Sequence, residues 1–157
     1  MTRPRILAAL ALALATGPAL AEAPPFRVAA TVEGPARVVD GDTLFVGGVE
    51  VRLQGVAAPE HGRRTEPGGP EATAAMRAWA EGRTVRCLLD GTTTRGREVG
   101  ACYVEGAELG AALIRAGLAR DCPRYSRGRY AAAERAARAE GRDLSRVYAL
   151  PGYCGGR

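Results

Sequence analysis

Residues 43–53 read Thr43-Leu44-Phe45-Val46-Gly47-Gly48-Val49-Glu50-Val51-Arg52-Leu53, two short runs rich in β-branched and apolar residues on either side of a glycine pair. Successive side chains of a strand point to opposite faces, so such a run reads as extended chain. A two-residue Gly-Gly loop is a favoured hairpin connection, because glycine tolerates the positive φ that the tight turn demands. In that register Val46 lies opposite Val49, Leu44 opposite Val51 and Thr43 opposite Arg52. The apolar set Leu44, Val46, Val49, Val51 and Leu53 then faces a core, while Thr43, Phe45, Glu50 and Arg52 share the other face.

Upstream, residues 26–32 and 37–39 also read as extended, with Asp40-Gly41-Asp42 interrupting them before the hairpin. Downstream, residues 62–69 form a polar loop without periodicity. Pro70 suits the first turn of a helix that continues through Met76 and Trp79 to a stop near Gly82. Residues 85–89 and 99–104 read as strands flanking a loop at 90–98. A second helix follows Gly106, with Leu109, Ala112, Leu113 and Ala116 on one stripe and Gly117 as its C-terminal cap. A third spans about residues 129–140, and the tail from Asp143 onward has no clear period. Four or five strands, an inserted helix and two further helices define an α+β chain whose sheet is a small barrel.

The first 21 residues carry a different signal. Arg3 and Arg5 precede an unbroken apolar run at residues 6–15, Gly17-Pro18 breaks it, and Ala19-Leu20-Ala21 places small residues at a cleavage site. That is the pattern of a secretory signal peptide, and the run is shorter than the ~20 apolar residues that span a bilayer. Cleavage after Ala21 leaves residues 22–157, enough for one domain. Removing Arg3 and Arg5 leaves 20 basic residues against 17 acidic ones, a charge of +3 that permits a polyanionic substrate without requiring one. All the basic residues are arginines, as a GC-rich coding bias would produce.

Cys87, Cys102, Cys122 and Cys154 are an even set in a small exported domain, which reads as two disulfides. A zinc site competes poorly: no Cys-x-x-Cys pair exists, and His61 is the one histidine. Of the three possible pairings, Cys87–Cys102 joins neighbouring strands, and Cys122–Cys154 then tethers the irregular tail.

Three charged patches remain: Asp40-Gly41-Asp42-Thr43, Arg52 through Pro59-Glu60, and Gly96-Arg97. Taken singly, each has a structural explanation, since Asp-Gly is turn chemistry and a strand arginine is often merely solvated. As a set they supply what phosphodiester hydrolysis needs. A carboxylate activates water, arginine forks grip phosphoryl oxygens, and further carboxylates hold a hard divalent cation.

Val38-Val39-Asp40-Gly41-Asp42-Thr43, Val51-Arg52-Leu53-Gln54-Gly55-Val56 and Pro59-Glu60 together resemble the staphylococcal nuclease signature. Gly69-Pro70-Glu71-Ala72, Gly96-Arg97 and the run from Leu113 through Ile114-Arg115-Ala116-Gly117-Leu118 to Ala119 extend the resemblance in the right order. The resemblance implies a five-stranded oligonucleotide-binding (OB) barrel with three helices, and cleavage of DNA and RNA with little sequence preference using calcium. It makes Glu60 the general base, Arg52 and Arg97 the phosphate clamps, and Asp42 a direct calcium ligand. Asp40 becomes an outer-shell carboxylate, Ala58 a backbone-carbonyl ligand and Tyr125 a substrate contact.

The chain also departs from that pattern. Ala57 stands where the family has a second calcium-binding aspartate, so one charge and one oxygen are lost and weaker calcium binding is expected. The loop after Glu60 is short, Thr94 replaces a lysine, and Ser145 takes the approximate place of a tryptophan. His61, a lone loop histidine beside Glu60, reads as solvated. The leading expectation is a monomeric, exported, metal-assisted nuclease. The alternative is the same barrel binding single-stranded nucleic acid without cutting it, which the scarcity of aromatics (two Phe, one Trp, five Tyr) disfavours. A disulfide-stapled interaction protein is a third reading, with no need for Arg52, Glu60 and Arg97.

Overall fold

The computed structural model describes residues 25–155, so the expected signal segment lies outside the described residues. The hairpin forms in the register read from its sequence. Strands β2 (Thr43–Val46) and β3 (Val49–Leu53) pair Val46 with Val49, Leu44 with Val51 and Thr43 with Arg52. Gly47 and Gly48 supply the turn with φ of 56° and 88°. Leu44, Val46, Val51 and Leu53 are buried, and Phe45 on the outer face lies under the Arg37 guanidinium, 4.2 Å from the ring centre.

The two extended runs before the hairpin are one strand, β1 (Ala30–Val38), which starts later than expected and passes straight through Gly34-Pro35. Its first part, to Pro35, pairs with β5 (Thr84–Thr94), and its last part, from Ala36, pairs with β2. Pro35 therefore sits where the strand changes partners and its missing N–H leaves no gap in a ladder. Gly34 is required there, because a Cβ would come within 2.9 Å of the Gly47 Cα.

The loop expected at residues 90–98 is mostly strand as well. β5 continues to Thr94 and β6 runs Arg97–Val104, joined by the tight turn Arg95-Gly96. A register shift between Leu89 and Thr93 absorbs Asp90-Gly91 as a bulge, with Asp90 Oδ1 accepting the Thr92 N–H at 2.8 Å, after which Thr93 pairs with Glu98. Turn-forming residues were the only signal in the sequence, and a bulge uses the same ones.

Parallel pairing of β3 with β6 closes β1, β2, β3, β5 and β6 into a five-stranded barrel of OB type. β4 (Val56–Ala57) pairs with β8 (Arg120–Asp121) in a separate ribbon, and β7 (Ala107–Glu108) extends the edge of β6. Helix α1 (Gly69–Ala80) buries Ala72, Thr73, Met76 and Ala80, and the following Glu81 accepts the Val38 N–H at 2.8 Å. Helix α2 (Leu109–Arg115) packs Leu113 and Ile114 into the core, and Gly117 ends it with φ of 73°.

The third expected helix forms as α4 (Ala131–Ala139), with Tyr130 turned inward just before it, and a single further turn, α3 (Pro123–Ser126), precedes it beyond Gly128. A four-residue turn is too short to show a period. The buried Tyr130 hydroxyl, Arg129 and Glu108 bond to one another beneath α2. Both expected disulfides are present: Cys87–Cys102 links directly paired residues of β5 and β6, and Cys122–Cys154 holds the tail. The tail contains two short 3-10 turns, Leu144–Arg146 and Gly152–Cys154, and packs Tyr148 and Cys154 against Ala57 and Cys122 in a second small core. Among the described residues, no helix is long and apolar enough to cross a membrane.

Candidate active site

The Asp40 turn sets the site because it is pressed against the barrel. A Cβ on Gly41 would meet the Ala72 and Ala58 methyls at 2.8 and 2.9 Å, so only glycine lets the turn lie between α1 and β4. The Asp42 N–H donates to Asp40 Oδ1 at 3.1 Å, which steers the Asp42 side chain inward. There Asp42 is 3% exposed, and each of its carboxylate oxygens has a partner. Oδ2 accepts the Ala58 N–H at 3.1 Å, while Oδ1 accepts Arg52 Nη1 at 2.5 Å and the Thr43 hydroxyl at 3.2 Å.

Arg52 arrives from β3 and Arg97 from the start of β6, the two parallel strands whose pairing closes the barrel. Arg97 Nη1 donates to the Thr43 hydroxyl at 3.2 Å. A continuous chain thus runs Arg52–Asp42–Thr43–Arg97, with one buried carboxylate and one buried hydroxyl tying the two guanidinium groups together. Thr43 was legible only as a polar residue opposite Arg52. It is buried, although its face of the hairpin was expected to be the polar one, because the two arginines cover it.

Burial pushes the Asp42 carboxyl up to about 6, assisted by the negative charges of Asp40 and Glu60 and opposed by Arg52 and the Ala58 N–H. Burial also works against the Arg52 charge, but Asp42, Tyr153, Asp40 and Glu60 outweigh it, and its pKa rises. A partner at 2.5 Å raises the arginine, and burial still prevails at the aspartate; at neutral pH both remain charged.

Glu60 stands exposed on the wall of the same groove, and its carboxylate makes no hydrogen bond or ion pair with the described residues. Its backbone is fixed: its N–H donates to Glu66 Oε2 at 3.1 Å, and its carbonyl accepts the Glu66 N–H at 2.9 Å. The short loop folds back so tightly that a Cβ on Gly69 would sit 2.1 Å from the Glu60 carbonyl oxygen. The groove, about 1060 Å³, brings Arg52, Glu60 and Arg97 together with Tyr125 and Tyr153. Arg27, Arg95, Arg124, Arg127 and Arg129 line it too, against the acids Glu60 and Asp90. Buried Nε and Nη1 of Arg129 have no hydrogen-bond partner.

Asp40, Asp42 and the Ala58 carbonyl are oxygen donors of the kind calcium takes. They make a sparse set: among the described residues no group of three or more His, Cys, Asp or Glu side chains is placed to hold a metal ion. The Ala58 carbonyl already accepts the Tyr148 hydroxyl at 3.2 Å, and Ala57 is fully buried in the tail core. His61 is exposed. Both carboxylate oxygens of Asp42 also have protein partners already, so among the described residues a closed protein cage for a cation is not formed.

An α+β chain on a closed OB-type barrel, with paired arginines and carboxylates in a basic groove, is the class that the fold and the site define. A family model described as staphylococcal nuclease homologue matches residues 50–145, and the chain belongs to that family. It is similar to the succinoglycan biosynthesis protein ExoI of Rhizobium meliloti (strain 1021), at 34% identity over 123 residues, covering 73% of this chain. The chain spans 64% of that relative's length.

Proposed function

We propose that the protein hydrolyses phosphodiester bonds of DNA or RNA with little sequence preference. The observation that carries this reading is the Arg52–Asp42–Thr43–Arg97 chain, which fixes two arginine forks in one groove with Glu60. Glu60 removes a proton from water as its oxygen attacks phosphorus, and the opposite P–O bond breaks to release an alkoxide that takes up a proton. Arg52 and Arg97 hold the non-bridging oxygens, whose negative charge grows in the transition state. Seven arginines along the groove track the phosphate backbone, a sequence-independent attraction. Tyr125, 49% exposed on α3, offers a face on which an unpaired base stacks.

Calcium, held by Asp42, Asp40 and the Ala58 carbonyl, would add positive charge beside the phosphoryl group, and the missing carboxylate at Ala57 makes it a weak ligand. The two disulfides fit an extracellular, oxidising location, in keeping with export and a mature start at Glu22. Intact mass of the exported protein tests that start. The working form is a monomer.

The deciding assay uses purified mature protein on supercoiled plasmid and on RNA, with calcium, magnesium, manganese or chelator. Nicking and RNA degradation that stop with chelator support the reading. Intact substrates under every condition, with retained binding, instead support a module that holds single strands. Ala57, which leaves the site one carboxylate short, favours that second reading. The relative's name concerns succinoglycan biosynthesis, but arginine forks beside a free carboxylate suit a phosphodiester better than a neutral glycosidic bond.

A further inference from the structure

The tail beyond α4 belongs to the reaction groove. The Cys122–Cys154 disulfide joins the residue just before α3 to the last residue of the Gly152–Cys154 turn, and both sulfurs are buried beside Ala57 and Tyr148. Gly155 then packs on Arg124, where a Cβ would stand 3.0 Å from the arginine Cβ. Cross-linked in this way, α3 and the tail form one flank of the groove, which carries Tyr153 next to the cystine. The Tyr153 hydroxyl lies 3.4 Å from Arg52 Nη2, so it accepts a hydrogen bond from the same guanidinium whose Nη1 is held by Asp42.

Two anchors on different nitrogens define a plane, and Asp42 alone leaves the guanidinium free to swing about that one contact. Its five N–H donors act as a fork only if the plane is aimed before the phosphate arrives. A donor already oriented at the developing charge costs no reorganisation during the reaction. The ring of Tyr153, 47% exposed, does not depend on core packing for its own placement. The disulfide supplies that placement.

We propose that Tyr153, delivered by the Cys122–Cys154 staple, is a positioning residue that sets the orientation of the Arg52 phosphate clamp. The proposal rests on the hydrolytic reading of the groove. It makes the rate of the chemical step depend on the oxidation of one particular disulfide, and the other, Cys87–Cys102, lies in the barrel wall.

The test compares kcat and KM of full mature protein on a single-stranded oligonucleotide for wild type, Tyr153→Phe, Cys122→Ser/Cys154→Ser, Arg52→Ala and the combinations. Tyr153→Phe keeps the ring and loses the hydroxyl. It is expected to lower kcat about two- to tenfold with KM unchanged, as loss of one hydrogen bond to the clamp implies. The double cysteine variant is expected to lower kcat at least as much, with little further loss when Tyr153→Phe is added. In the Arg52→Ala background Tyr153→Phe is expected to change nothing, because the hydroxyl acts through Arg52. Wild-type kcat in Tyr153→Phe, or an equal loss with and without Arg52, overturns the proposal while leaving the hydrolytic reading intact. Absence of any cleavage by the wild type overturns both.

Discussion

Asp42 Oδ1 and Arg52 Nη1 are 2.5 Å apart, and the arginine that would grip a phosphate is therefore held by the carboxylate that would hold a cation. The pair lets the site carry both charges under cover without either being isolated, since an unpaired buried charge is costly. A cation at Asp42 would compete with Arg52 for the same oxygen, so binding of a metal and release of the guanidinium would be coupled on one atom.

The Asp42 carboxyl has a testable pH signature. Its folded-state pKa, about 6, lies above the ordinary 3.8, so folding favours its neutral form. The stabilisation from that neutral form is fully present below the ordinary value and is lost as pH rises through about 6. The shift corresponds to roughly 3 kcal/mol at full effect. Asp42→Asn is expected to flatten the change in stability between pH 4 and 6, read from denaturant midpoints at each pH. A slope identical to wild type would place the titration elsewhere.

The hydrolytic roles predict a distinct pattern of losses. Glu60→Gln should reduce cleavage about 10²–10⁴-fold with the fold intact, because Glu60 is exposed and its amide analogue keeps the backbone contacts. Arg97→Lys should fail substantially, since a point charge cannot reproduce the fork. Thr43→Val should lower activity by loosening Arg97, whose Nη1 bonds to the Thr43 hydroxyl. Single-turnover rates on a labelled oligonucleotide measure all of these. Full activity in Glu60→Gln would remove it as the base.

Ala57→Asp should tighten calcium binding and lower the calcium needed for half-maximal cleavage. The structure adds a cost to that gain. Ala57 is fully buried against Cys122, Tyr148 and Cys154, so the new carboxylate is buried too. Without calcium the variant should lose about 1–3 kcal/mol of stability, and added calcium should restore part of it. Thermal melts in chelator and in calcium give both numbers. No calcium dependence of melting or rate in the variant would argue against a cation at Asp42.

The arginine flank predicts how binding responds to salt. For single strands the logarithm of affinity should fall with the logarithm of salt with a slope of about −0.7 per neutralised phosphate. Arg124→Ala and Arg127→Ala, both on the groove wall, should each flatten that slope by about 0.7 while leaving sequence preference unchanged. Fluorescence anisotropy on Glu60→Gln, across a salt series, reads this without cleavage. Unchanged slopes would put the strand on another face.

The sequence by itself determined the barrel and the residues of the candidate site. The hairpin register at residues 43–53 followed from alternation and a Gly-Gly turn, both local properties, and the two disulfides followed from which strands were neighbours. The spaced motifs carried the resemblance to the family, and Arg52, Glu60 and Arg97 do share one groove, with Asp42 bonded to Arg52 beneath it. What lay beyond local pattern was left to the tertiary structure. Asp90-Gly91 reads as a loop until cross-strand pairing resumes beyond it at Thr93 and makes it a bulge. Thr43 becomes the bond between two arginines only when β3 meets β6, and Tyr153 reaches Arg52 across 101 residues of chain because a cystine holds it there. Periodicity reports how a side chain faces its own element; which distant side chain it meets is decided by closure of the barrel and by the cross-link.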